Sequence, residues 1–126
     1  MAAQKRGEAR RQDFRAVEAT PGIFRTVLAY DKELMLCHFT MKKGTVTEPH
    51  THTPAQIGYL MRGRVRFHRG DSDSFVVEPG GSYVFDPHEK HFVEVLEEAR
   101  DETLGRMFYH LDSCVHDNRR TLPCPI

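Results

Sequence analysis

The sequence has no surplus of charge of either sign: 18 Lys and Arg face 18 Asp and Glu. That balance gives no electrostatic reason to seek nucleic acid or an anionic membrane surface, and no basic patch or DNA-reading helix is visible. No apolar run approaches the ~20 residues that a membrane span needs. Cysteine is scarce and odd in number. Cys37, Cys114 and Cys124 show no metal-ligand spacing, which fits reduced thiols in a cytoplasm better than a disulfide framework. Internal repeats and low-complexity segments are missing too, and 126 residues allow one core but not two. The opening MAAQKRGEARRQDF is basic but lacks the apolar centre of a secretory leader. Its arginines and few acids faintly resemble a transit peptide; a solvated tail is the preferred reading.

What the chain does have is a series of short β-favouring runs with Gly and Pro between them. That pattern indicates an all-β sandwich or barrel. The expected division is a polar arm over 1–20 that packs on a neighbour through Phe14 and Val17, a barrel over 21–112 and a tail over 113–126. Strands are expected at 23–29, 34–41, 55–61, 64–68, 75–78, 82–85, 92–96 and 104–111. The nearly continuous apolar run LMLCHFTM at 34–41 implies burial on both faces, with Cys37 a small core residue and His38 a partly buried histidine. RVRFH at 64–68 alternates and should be half exposed. Arg62-Gly63 reads as a tight corner, Arg69-Gly70-Asp71 as a hairpin turn, and EEARDE at 97–102 as a charged loop.

Two stretches carry chemistry. In GTVTEPHTHTPAQIGYLMRG, residues 44–63, His50 and His52 alternate, so on a strand both would point to one face. Gln56 follows four residues later and can bring an amide oxygen to the same place. In GGSYVFDPHEKHFVEV, residues 80–95, a turn at Asp86-Pro87 leads to His91 at the head of another strand. Neutral imidazoles ligate Mn, Fe, Ni, Cu and Zn ions of charge two, so His50, His52 and His91, with Gln56, make a candidate divalent-metal set. The other reading of Gln56 is a side chain that braces a neighbouring strand.

These residues carry a family resemblance. Gly44-x5-His50-x-His52-x3-Gln56-x6-Gly63 resembles the first cupin motif, with Gln where most members have Glu. Gly80-x5-Asp86-x-His88-x2-His91 resembles the second, with Asp86 and His88 where Pro and Gly are usual and Val95 where Asn is frequent. The resemblance covers roughly residues 23–111. It implies a single RmlC-like antiparallel β-barrel or jelly roll with one metal inside, and a homodimer. Gln56, together with Leu28-Ala29-Tyr30, Asp31, Leu34-Met35, Gly44, His50, His52 and His91, is similar to a branch of small cupins from pectin and alginate breakdown. Those proteins open unsaturated monouronates into linear keto acids at a metal held by three His and one Gln. The branch also has an Asp on its last strand, a Phe two residues on and an Arg shortly after. Here that strand reads RMFYHLDSCVHDNRR. Tyr109 or a neighbour takes the Asp position, Asp112 comes a little later and Arg119 stands in for the Arg.

The expected function is therefore a metal-dependent lyase, isomerase or ring-opening enzyme acting on a small anionic metabolite of the sugar-acid or keto-acid type. Tyr109, His110, Asp112 and His88 are the candidates to move protons, although each is of a type equally at home in a structural or exposed position. An Fe(II)-dependent dioxygenase and a non-enzymatic ligand-binding or sensor cupin are the alternatives, and fold alone does not choose among them.

Overall fold

The computed structural model describes residues 7, 8, 10–30, 34–53 and 55–106. A single turn of 3-10 helix, Arg11–Asp13, precedes seven strands: β1 (Val17–Thr20), β2 (Ile23–Tyr30), β3 (Leu34–Met41), β4 (Gln56–Arg69), β5 (Asp73–Val77), β6 (Ser82–Phe85) and β7 (His91–Arg106). Every pairing is antiparallel. The strands run in the order β1-β2-β3-β7-β4-β5, with β6 also beside β4. The result is the all-β barrel expected, and β3 and β6 have the expected bounds.

Two expectations are corrected. The stretches expected as strands at 55–61 and 64–68 are not separate strands around a corner; from Gln56 on, both lie in β4, which pairs with β7 along one edge and with β6 and then β5 along the other. One strand can serve partners at such different angles only by bending. The register shifts around Arg62 and Arg64 supply the bend. Gly63 sits there at φ 84, and a Cβ on it would run into the Glu98 carbonyl, so neither conformation nor space admits a side chain. The second correction is the charged loop at 97–102, which is part of β7. Its outward residues are polar, but Ala99 and Asp101 turn inward and are 0% and 2% exposed. The register shift where Arg64 and Val65 face Glu97 and Val95 breaks simple alternation and hides the strand.

The core is aliphatic and aromatic: Ile23, Val27, Met35, Phe39, Leu60, Val65, Phe67, Phe85 and Val93 are each at most 2% exposed. On β4, Val65 and Phe67 are buried while Arg64 and Arg66 are not, as the alternation requires. Cys37 and His38 are both buried. β1 pairs with β2 of its own chain, and Val17 there is 8% exposed. Gly58 faces Tyr83 across the β4–β6 ladder. A Cβ on Gly58 would run into the Tyr83 ring, so the glycine lets that ring lie over the strand.

Candidate metal centre

The segment that carries His50 and His52 is not a regular strand. It runs beside the start of β7 through Gly44 N to Val95 O, Thr47 N to Val93 O and His50 N to His91 O, at 2.9, 3.0 and 3.1 Å. Three of its residues thus pass for every two of β7. Pro49 has no N–H to give a ladder, and Thr47 strengthens the loose pairing by accepting the Val93 amide on Oγ1 at 3.0 Å. His50 and His91 nevertheless face each other as an isolated antiparallel bridge. The carbonyl of His52 accepts the His88 amide at 2.8 Å, which pins the second histidine to the Asp86–Glu89 turn.

The three imidazoles converge. One ring nitrogen from each of His50, His52 and His91 lies within 4.8 Å of the other two, and the group could hold a metal ion. His52 and His91 are buried and His50 is half-buried. Backbone carbonyls decide which nitrogen is offered. His50 Nδ1 is 2.9 Å from Glu48 O and His91 Nδ1 is 2.8 Å from Glu89 O. A carbonyl only accepts, so each Nδ1 carries the proton and each Nε2 keeps its lone pair, the usual preparation of a histidine for a metal. His50 Nε2 is buried with no hydrogen-bond partner among the described residues. A buried lone pair without a partner is costly in a protein that binds nothing there. The Phe85 ring stacks on the His91 imidazole, 4.1 Å between centroids and 8° from parallel, and fixes the plane of that ligand.

Gln56 opens β4, is 0% exposed, and places Oε1 3.1 Å from His52 Nε2. Two ligand atoms each ~2.1 Å from one ion and at right angles would stand about 3.0 Å apart. The contact is thus equally the spacing of adjacent ligands and that of a His–Gln hydrogen bond. His88 is exposed on the turn at φ 64, an uncommon conformation for a residue with a side chain. Tyr109, His110 and Asp112 lie outside the described residues, as do Arg119, Cys114 and Cys124.

Two buried charged residues escaped the sequence reading. Arg25 is 0% and Asp101 2% exposed, and the Tyr83 hydroxyl donates to Asp101 Oδ2 at 2.6 Å. Burial lowers the pKa of Arg25 from its ordinary value, and Cys37 opposes that shift. The alternation of Ile23, Arg25 and Val27 on β2 was the available signal, since the two flanking residues are core. Asp101 pairs with Leu60, four residues beyond Gln56 on β4, and bonds Tyr83, while the ligating group of the three imidazoles does not include it.

The family model for the cupin domain matches residues 37–101, more than half of the chain and both histidine stretches. The chain belongs to the cupin family. Solved structures are similar over most of its length. KdgF from Halomonas sp. has a TM-score of 0.71 and 25% identity, covering 79% of this chain and 93% of its own. An RmlC-like cupin from Shewanella frigidimarina has a TM-score of 0.76 at 20% identity, covering 84% and 95%. The polyketide cyclase RemF from Streptomyces resistomycificus has 0.72 at 18%, covering 80% and 79%. No curated protein matches the chain. No helix among the described residues of this cupin is long and apolar enough to cross a membrane.

Proposed function

We propose that this cupin is a cytoplasmic metal-dependent enzyme that performs lyase, isomerase or ring-opening chemistry on a small anionic metabolite of the sugar-acid or keto-acid type. The observation that carries the reading is the convergence of three imidazole nitrogens within 4.8 Å, two of them aimed by backbone carbonyls. On this reading His50, His52 and His91 hold a divalent ion and the Gln56 amide oxygen completes the set. When bound, the ion acts as a Lewis acid that stabilises negative charge developing on a substrate oxygen. Gln56 adds no charge, so three His and one Gln leave the ion about two units positive, where a Glu would leave about one. That excess favours an anionic substrate. The likeness to KdgF at 25% identity and the Gln56 pattern shared with the pectin and alginate branch support the substrate class. His88, beside His52, and Tyr109, His110 and Asp112 are the groups proposed to move protons.

Elemental analysis of protein purified without added metal, followed by a screen of unsaturated uronates and keto acids, tests the reading. About one divalent ion per chain is expected. The ion should be released on acidification, because a protonated imidazole cannot ligate. Oxygen consumption with Fe(II) bound would favour the dioxygenase alternative instead.

A homodimer is part of the proposal. β1 is an edge strand, and an open edge invites pairing. Ile57, Tyr59, Met61 and Val84 are 37–51% exposed, with Ile57 and Val84 directly paired across β4 and β6, an apolar face that a second copy would cover. Light scattering at micromolar concentration should give twice the monomer mass; the monomer mass would refute it.

A further inference from the structure

Arg69 ends β4 directly opposite His91, and its contacts converge on that residue's surroundings. The guanidinium Cζ lies 5.2 Å from the Phe75 ring centroid and 5.5 Å from that of Phe85, within reach of cation–π attraction to both, and the Phe85 ring is the one stacked on the His91 imidazole. Nη2 donates to the Val84 carbonyl at 3.0 Å, which fixes the backbone just before Phe85. Nε stands 3.0 Å from Glu89 Oε2 as a charge contact without hydrogen-bond alignment. The other carboxylate oxygen of Glu89 accepts the Asp86 amide at 2.9 Å, and its backbone carbonyl is the acceptor for His91 Nδ1.

Arg69 therefore holds both features that orient His91: the aromatic face against its ring and the turn that presents its Nδ1 acceptor. Arg64, on the same strand, makes an ion pair of equal length with Glu97, 3.0 Å, but those side chains are 44% and 58% exposed against 36% and 24% for Arg69 and Glu89. The Arg64 pair is an ordinary surface contact and serves as the control.

We propose that Arg69 is a positioning residue for the metal centre, acting on His91 through Phe85 and Glu89; the proposal rests on the metal reading above. The test is Zn(II) affinity of the full chain, measured by competition with a chromophoric chelator well below the melting temperature. Arg69→Met keeps much of the apolar stem and removes the guanidinium. It should weaken Zn(II) binding about tenfold, the scale of outer-shell partners, and Glu89→Gln should weaken it severalfold. Arg64→Met should leave it unchanged. If Arg69 merely fastens the β4–β5 hairpin, Arg69→Met lowers the melting temperature of the metal-free protein and leaves Zn(II) affinity alone. A Zn(II) affinity of Arg69→Met within about twofold of wild type therefore overturns the proposal. Should Arg69→Met fail to fold, Glu89→Gln decides by the same criterion. A wild type that binds no Zn(II) overturns the metal reading, and the proposal with it. That outcome is told apart from a failure of positioning alone by the wild-type titration.

Discussion

Two of the buried polar groups among the described residues direct their hydrogen bonds in opposite senses. Around the histidines, the acceptors lie behind the rings: Glu48 O and Glu89 O take the Nδ1 protons at 2.9 and 2.8 Å and turn the Nε2 lone pairs toward a shared point. Deeper along β4, Tyr83 and Asp101 turn toward each other and close at 2.6 Å. Both regions place titratable side chains out of water. Only the first leaves ligating atoms aimed at a common point from three directions. Burial of polar groups therefore does not by itself mark a site in this fold; the direction of the lone pairs does.

Two substitutions try to break that comparison. His91→Ala should reduce Zn(II) affinity by more than the ~10–100-fold that outer-shell changes cost, because on the proposed reading it removes a ligand, together with the face against which Phe85 packs. Tyr83→Phe should do the reverse. It takes the donor from a buried carboxylate and should cost on the order of 1–3 kcal/mol of folding stability, with Zn(II) affinity unmoved. Calorimetric titration and urea unfolding on the same preparations give both quantities. If Tyr83→Phe loses metal, the two regions are one site and the separation argued above is wrong.

What could be read from the sequence follows from the same contrast between local and distant causes. β3 and β6 were legible to the residue because their apolar runs are bounded by turn formers. His50, His52 and His91 were legible as a set from motif spacing, although the backbone that brings them together is an irregular bridge and not the strand assumed. The deformation lies between chain segments about forty residues apart, where local pattern carries no signal. Gly63 was recognised as a special position but assigned to a corner, since a positive φ serves a turn and a bulge alike. β7 was split because EEARDE is polar by composition, and only its partners show that Ala99 and Asp101 face inward. Asp101 and Arg25 were missed for that reason: strand alternation puts them among core residues, but charge argued for the surface.

Gln56→Glu has a small expected effect on the metal and the sharpest bearing on substrate. Gln56 is fully buried, 3.1 Å from His52 Nε2, so a Glu of the same length places a carboxylate oxygen in the same position. If Gln56 is a ligand, metal content should hold and Zn(II) affinity should stay level or rise, since a carboxylate is the better donor. The same carboxylate cancels about one unit of positive charge at the ion. Affinity for an anionic probe such as a simple keto acid should therefore fall, and turnover with it, because the ion polarises a bound oxygen less. If Gln56 only braces the strand, the buried carboxylate replaces the neutral amide without ligating the ion. It should then destabilise the fold without raising Zn(II) affinity. Zn(II) affinity and folding stability measured on one Gln56→Glu preparation distinguish the two. An unchanged anion affinity in a metal-loaded variant would remove the electrostatic argument for an acidic substrate and leave the three histidines to account for the centre alone.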